Sequence, residues 1–530
     1  QLAHLLEAYG VSTIFGIPGV HNVELYRGLH ETRIRHVSPR HEQGAGFMAD
    51  GYARTSGKPG VCFLITGPGV TNAATAMGQA YGDSVPLLVM SSVNRRHELG
   101  FGRGFLHEMP SQRALTAGLT AFSHTLLRPD ELPDVIAAAF SVFTSARPRP
   151  VHIEIPIDVL ETRLDRNPTA PKVVATSAPA ADPAGLDDAA KLLRGAKRVA
   201  ILAGGGAANA AGPIRQLAEA LAAPTMLTTS GRGILPPDHP LLAGFAVAYD
   251  EGRAILEEAD AVLAVGTELG ETDYEFWATK PIAFGAALVR IDIDPRQMAI
   301  GPPARLAITS DAALATRGLV QRLAKSAGRR DRTWADSVVR RAAKIMTRTR
   351  EPEDPFYDQL LDIVRATLRD PIVVGDSTKP AYRAMLTYRA QAPRSFWTAA
   401  TGFGTLGYAL PAAIGAKIAA PGRPVVAIMG DGGIQFTLPE LMSAKEAGAG
   451  VIVLVWNNTG YREIKDYMVS KEIAPLAVDI GPPHFLKSAA AVGIEGTRVG
   501  SLDELGKTLT RLRATRAPVL VEMGPWMVTQ

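Results

Sequence analysis

Pro424-Val425-Val426-Ala427-Ile428-Met429-Gly430-Asp431-Gly432-Gly433 opens a segment that closes, one helix and one strand later, at Asn457-Asn458-Thr459-Gly460. The first six residues are an apolar run of the kind a strand buried on both faces of a parallel sheet requires, and a turn has to begin at Gly430. Leu438, Leu441, Met442 and Lys445 carry helical spacing up to Ala447, and Val451 to Trp456 is a second apolar run ending at Asn457. Strand, helix, strand in that order predicts parallel neighbours in a doubly wound sheet. Such sheets bind ligands in the crevice outside the carboxyl ends of their strands.

Asp431 and Asn458 stand at two such ends. Mg²⁺ holding a diphosphate takes hard oxygen donors in octahedral geometry and completes its shell with phosphate and water. The side-chain oxygens of Asp431 and Asn458 and the carbonyl of Gly460 are the expected metal ligands. Gly432 and Gly433 let backbone N–H groups approach phosphate oxygens at a helix amino terminus. Each of the two turns alone is commonplace; their pairing across one strand-helix-strand unit gives the specificity.

Further segments extend the pattern: Phe15-Gly16-Ile17-Pro18-Gly19, Arg40-His41-Glu42-Gln43-Gly44-Ala45, Gly51-Tyr52-Ala53-Arg54, Thr66-Gly67-Pro68-Gly69-Val70-Thr71-Asn72, Gly375-Asp376-Ser377-Thr378 and Gly402-Phe403-Gly404-Thr405-Leu406-Gly407. With them the chain resembles the thiamine diphosphate (ThDP) enzymes of the acetolactate synthase, benzoylformate decarboxylase and pyruvate decarboxylase type, over almost its whole length. The resemblance implies an α/β protein of three doubly wound parallel-sheet domains. These are a pyrimidine-binding domain over residues 1–165, a Rossmann-like middle domain over 183–325 and a diphosphate-binding domain over 350–530. Proline-punctuated residues 162–182 read as one linker, and the charged segment around 325–355 as a second break.

By the same resemblance Glu42 is the indispensable carboxylate that hydrogen-bonds N1′ of the cofactor's pyrimidine. The Gly404 carbonyl accepts from its 4′-amino group, Leu406 wedges beneath the cofactor to hold it bent, and Ser377 and Thr378 bind diphosphate oxygens. ThDP supplies the carbanion and the electron sink, and the protein supplies geometry and proton control. Glu42 and Asp431 are expected from different subunits, giving a homodimer or homotetramer with active sites between subunits.

The substrate is expected to be a small 2-oxo acid. Ile65 stands where benzoylformate decarboxylase carries a histidine, and the chain offers instead His21, and His107 in Leu106-His107-Glu108-Met109-Pro110-Ser111-Gln112. His21, His107 and Gln112 are accordingly catalytic candidates beside Glu42. The run from Gly19 to Leu29, the Leu-His-Glu loop and Tyr461-Arg462-Glu463-Ile464-Lys465 are similar to 5-guanidino-2-oxopentanoate (2-ketoarginine) decarboxylases. On that likeness Glu108, Glu463 and Ile464 face the substrate, because carboxylates pair with a guanidinium through charge-assisted hydrogen bonds. Acetolactate synthase-type carboligation, which differs only in trapping a second carbonyl, is the alternative within the family. An FAD or NAD oxidoreductase using Gly204-Gly205-Gly206 of the middle domain is the alternative from another class. No ribose-binding acid follows that turn at the expected place, and Gly266-Thr267-Glu268-Leu269-Gly270 replaces the Asp-rich, Arg-bearing stretch associated with flavin contact, so FAD is not expected.

Composition sets the remaining bounds. The 530 residues, 46% hydrophobic and 20% charged, describe a multidomain globular protein. No apolar run approaches the roughly 20 residues that span a bilayer, so no membrane partner is expected. A formal charge of +4 with scattered arginines gives no nucleic-acid footprint. The single cysteine, Cys62, lies inside the apolar run Val61 to Ile65 and reads as core filler in a reducing, cytoplasmic setting.

Overall fold

The computed structural model describes residues 1–163, 173–274, 282–285, 287–324 and 330–528. Three parallel six-stranded sheets interleaved with helices make up the fold. The first contains β1 (Thr13–Gly16), β2 (Arg35–Val37), β3 (Gly60–Leu64), β4 (Leu87–Val93), β5 (Phe122–Thr125) and β6 (Val151–Pro156), in the order β2-β1-β3-β4-β6-β5. The second contains β7 (Val199–Ala203), β8 (Thr225–Leu227), β9 (Leu242–Gly244), β10 (Ala261–Val265), β11 (Ala287–Asp292) and β12 (Leu306–Thr309), in the order β12-β11-β10-β7-β8-β9. The third contains β13 (Ile372–Gly375), β14 (Phe396–Thr398), β15 (Val425–Gly430), β16 (Val451–Trp456), β17 (Glu495–Arg498) and β18 (Val519–Met523), in the order β14-β13-β15-β16-β18-β17.

The central strands form because their runs are apolar on both faces: every residue of β3, β4, β7, β10, β13 and β16 is buried. Helices supply the crossovers that parallel pairing demands. The order of the second sheet is the Rossmann order, with its switch point between β7 and β10. The first and third sheets share another order, strand for strand, with switch points between β1 and β3 and between β13 and β15.

By compactness these strands group into two units. One comprises Gln1–Ser177, Val373–Lys379 and Gly402–Gln530, and the other Ala178–Ile372 with Pro380–Thr401. In the first unit the helix Glu42–Ser56 packs along the helix Ala409–Ala419, with the Phe47 and Tyr408 rings edge to face at 5.2 Å. Cys62 lies in the core, where burial pushes its thiol pKa up.

The linker expected at 162–182 and the break expected around 325–355 differ in structure. Part of the linker expected at 162–182 lies outside the described residues, while Val173 to Asp182 carries no helix or strand. The break expected around 325–355 instead contains the helix Thr333–Met346, which buries Ala335, Val338, Ala342 and Ile345 in the cores of the second unit. Their helical spacing is hidden among arginines and lysines that occupy the opposite face. Residues 325–329 lie outside the described residues.

The Gly204-Gly205-Gly206 turn has a packing reason of its own. A Cβ on Gly204 would stand 2.4 Å from the Gly266 carbonyl oxygen, so the close approach of the turns after β7 and β10 excludes a side chain. Among the described residues no helix is long and apolar enough to cross a membrane.

Candidate active site

Two sets of loops collect at the switch points of the first unit. In the third sheet, β15 and β16 run in register from Val425↔Val451 to Gly430↔Trp456, which sets Asp431 level with the Asn457-Asn458 turn. Asp431 does not lie in an open turn: it begins the short helix Asp431–Ile434 and is fully buried. Its Oδ2 accepts from the Gly460 N–H at 2.9 Å and its Oδ1 from the Asn458 N–H at 3.3 Å. Burial raises its pKa, and these backbone donors act in the opposite sense.

Asn458 Oδ1 faces Asp431 Oδ1 at 3.0 Å and the Gly460 carbonyl oxygen at 3.1 Å. Turning the amide over would make both contacts hydrogen bonds, which suits the protein without a cation. With the oxygen inward, three oxygens converge at the spacing of neighbouring ligands in an octahedron. Mg–O bonds of 2.0–2.1 Å place such neighbours about 2.9 Å apart. The donor set therefore fits Mg²⁺.

The turn after β13 lies beside this loop. Asp376 is buried and its pKa is pushed up to about 6 by desolvation, against backbone donors that include the Ala409 and Ser377 N–H groups at 3.2 and 2.8 Å. Thr378 is buried next to Gly430, and Ser377 is half-buried. Gly432 and Gly433 are buried in the short helix. The Gly404 backbone is exposed with φ +69°, and Leu406 is half-buried. Thr437 Oγ1 donates to the Gly407 carbonyl at 2.8 Å and fixes the end of that segment.

In the first sheet, Glu42 is the first residue of the helix Glu42–Ser56, and its Oε2 accepts from Asn72 Nδ2 at 2.9 Å. Glu440, nearly inaccessible, accepts from the Arg40 and His41 backbone N–H groups at 3.1 Å and anchors the start of that helix. The turns after β1, β3 and β4 meet at one place. Asn22, fully buried, accepts from the Gly19 N–H at 2.7 Å and donates to the Ile17 carbonyl at 3.1 Å, shaping the turn that presents His21. His21 Nδ1 lies 3.2 Å from His107 Nδ1, with the rings edge to face at 4.9 Å. Desolvation, then the neighbouring His107, holds the His21 imidazole below its ordinary pKa. Gly67 has φ +68°, and a Cβ there would stand 2.8 Å from the His107 carbonyl oxygen.

Gln112, Glu108, Glu463 and Ile464 have the following surroundings. Gln112 is buried with its whole amide in use: Oε1 accepts from the Gly67 N–H at 2.9 Å and Thr66 Oγ1 at 3.2 Å, while Nε2 donates to Ser91 Oγ, the Ser92 carbonyl and Glu154 Oε2. It shapes the Gly67 turn and has no donor left for a substrate. Glu108 turns into its own loop, accepting from the Gly102, Gly104 and Phe105 N–H groups at 2.6–3.0 Å. Those backbone donors lower its pKa against a desolvation that acts the other way. Glu463 pairs with Lys379 Nζ at 2.9 Å, and Ile464 beside it is exposed.

Family comparison agrees with this arrangement. Residues 1–115 match the thiamine pyrophosphate enzyme N-terminal TPP binding domain, 186–319 the central domain and 374–523 the C-terminal TPP binding domain. The chain belongs to the thiamine pyrophosphate enzyme family. It is 46% identical over 98% of its length, and 93% of the relative's, to a protein named "Probable 2-ketoarginine decarboxylase AruI" from Pseudomonas aeruginosa. It is 30% identical, also over 98% of its length, to the probable acetolactate synthase large subunit of Methanocaldococcus jannaschii and to the acetolactate synthase isozyme 1 large subunit of Escherichia coli, covering 90% and 92% of those chains. Asn22, Asn72, Thr437 and Glu440 hold the segments around the candidate site, and motif reading gave none of them a role. Asn72 alone carried a signal, as the last residue of the Gly-rich turn after β3.

Proposed function

We propose that the protein is a ThDP- and Mg²⁺-dependent decarboxylase that converts 5-guanidino-2-oxopentanoate (2-ketoarginine) to the corresponding aldehyde and CO₂. The observation that carries the cofactor reading is the convergence of Asp431 Oδ1, Asn458 Oδ1 and the Gly460 carbonyl at ligand spacing. The substrate is taken from the full-length likeness to the Pseudomonas aeruginosa protein.

In this reading Asp431, Asn458 and Gly460 hold the metal, and Ser377, Thr378 and the N–H groups around Gly432 and Gly433 hold the diphosphate. Bound ThDP supplies the nucleophilic carbon and the electron sink. Glu42, oriented by Asn72, holds the proton at N1′. Leu406 and the Gly404 carbonyl would hold the cofactor's aminopyrimidine ring. The His21–His107 pair lies on the substrate side, and the lowered pKa of His21 favours its neutral imidazole there. Gln112 acts only as a positioning residue for the Gly67 turn. Glu463 is the guanidinium reader, with Lys379 occupying its carboxylate until a cationic substrate competes.

The site is completed by a second copy of the chain. Exposed apolar residues flank both halves: Val20 and Leu106 beside the histidines, at 75% and 63% exposure, and Tyr467 and Leu476 after the metal loop, at 61% and 79%. These exposed side chains support that reading, since a partner copy would cover them. The acetolactate synthase relatives favour a second reading, carboligation. Steady-state decarboxylation with ThDP and Mg²⁺ across 2-ketoarginine, pyruvate, benzoylformate and a branched 2-oxo acid separates the two. Preference for 2-ketoarginine with an aldehyde product supports the first, and acetolactate from pyruvate replaces it with the second.

A further inference from the structure

A buried polar chain runs from the helix Glu42–Ser56 to the segment 402–408, and no step above uses it. Arg54, on that helix, donates through Nε to Asp50 Oδ1 at 2.6 Å and through Nη2 to Asp83 Oδ2, also at 2.6 Å. Side-chain exposure is 10% for Arg54, 0% for Asp50 and 6% for Asp83, so two carboxylates share one guanidinium away from water. Asp83 Oδ2 also accepts from Gln79 Nε2 at 2.7 Å, and Gln79 Oε1 accepts from the Thr405 N–H at 3.3 Å. Tyr408 Oη donates to Asp50 and closes the chain at the far end of the segment.

The placement of Gln79 matters. Thr405 lies between Gly404 and Leu406, the two residues read as clasping the cofactor's aminopyrimidine. Gln79 is fully buried, on the last turn of the helix Pro68–Gly82, whose first turns carry Asn72 against Glu42. Seven residues separate the two amides, about 10 Å of helix. A single rod thus carries one side chain against Glu42 and another against the clasp. Asp83 and Arg54 fix the Gln79 amide so that its oxygen points at the Thr405 peptide. A glutamine is needed there because it accepts from that peptide while donating to the carboxylate behind it.

We propose that Gln79, oriented by Asp83 and Arg54, is a positioning residue for the Gly404–Leu406 clasp. The proposal rests on the reading of that segment as the clasp. On that reading the metal and diphosphate contacts lie outside the clasp, so displacing it is expected to lower turnover more than cofactor affinity.

The experiment compares Gln79→Met, Gln79→Glu and Leu406→Ala with the wild-type holoenzyme, measuring kcat, KM for ThDP at fixed Mg²⁺ and thermal midpoint. Gln79→Met is expected to lower kcat roughly tenfold, as expected when a buried N–H loses its acceptor, with KM for ThDP within threefold. Gln79→Glu keeps an acceptor for Thr405 but sets a carboxylate against Asp83 where the amide donated, and is expected to lose kcat as well. A merely structural residue would lower the thermal midpoint and leave kcat per folded site unchanged, and that result overturns the proposal. If Gln79→Met does not fold, Asp83→Asn, which keeps shape and weakens the hold on Gln79, must show the same kcat-selective loss or the proposal fails. Leu406→Ala separates the two layers: silence there removes the clasp reading itself, whereas damage there with a silent Gln79→Met removes only this inference.

Discussion

Replacing Asp431 by Asn should separate metal binding from stability. In the wild-type site the carboxylate accepts from the Gly460 N–H at 2.9 Å and the Asn458 N–H at 3.3 Å, and Asn458 Oδ1 stands 3.0 Å from Asp431 Oδ1. An asparagine in the same rotamer keeps its oxygen on Gly460 and turns its NH₂ toward Asn458 Oδ1. It loses the longer of the two backbone bonds, gains one side-chain bond and removes a charge buried without a cation. The lost and gained hydrogen bonds are each about 1 kcal/mol and oppose one another, and removing a buried charge favours the variant, so the apo-protein should lose no more than ~1 kcal/mol. The holoprotein behaves differently. At a free cofactor–metal concentration of 100 Kd, ligand linkage stabilises the wild type by about 2.7 kcal/mol. The variant, lacking its only charged ligand, should lose nearly all of that. Thermal or urea unfolding with and without Mg²⁺ and ThDP reads both quantities. An apo variant destabilised well beyond 1 kcal/mol, or a variant that keeps its Mg²⁺-dependent stabilisation, would refute the assignment of Asp431 to the metal.

Other expectations concern proton and substrate handling. Glu42→Gln should bind ThDP and Mg²⁺ with unchanged affinity by calorimetry yet lose at least a hundredfold in kcat, within the usual range for an acid–base group; near wild-type turnover would remove its role at N1′. Glu463→Gln should reduce the ratio of kcat/KM for 2-ketoarginine over a neutral 2-oxo acid by roughly tenfold, and an unchanged ratio would mean that Glu463 does not read the guanidinium. His152 is buried among Ser91, Thr116 and Ser123 hydroxyls, and burial lowers its pKa from 6.5 to about 3. Between those values the unfolded chain takes up a proton that the folded one refuses. Its contribution is therefore fully present above pH 6.5 and is lost progressively toward pH 3. His152→Gln should flatten the fall of thermal midpoint over that window, and an identical slope would show that other groups set it.

Much of this site is legible in sequence because strands buried on both faces must be apolar runs, and the residue ending each run must stand at the sheet's edge. Asp431, Asn458, Ser377 and Gly67 are placed by that logic. Residues that act across the fold are not. Gln79 and Glu440 are ordinary helix residues until the partner segments 405 and 40–41 are brought to them, and no local period marks them. Gln112 shows the converse. Its position beside His107 suggests chemistry, whereas its amide is consumed by five protein contacts. The helix Thr333–Met346 was masked by charge, since four small or aliphatic residues at helical spacing suffice to bury one face.

The shared strand order of the first and third sheets has a genetic consequence. One architecture, used twice, carries Glu42 in one half and the oxygens of Asp431, Asn458 and Gly460 in the other. If each catalytic centre draws those halves from separate copies, an allele defective in Glu42 and an allele defective in Asp431 should complement each other when co-expressed. Half the centres in such a mixed assembly would be intact and the other half doubly defective. Either allele paired with the normal gene would instead behave as a partial dominant, spoiling one centre of every mixed pair while its partner kept working.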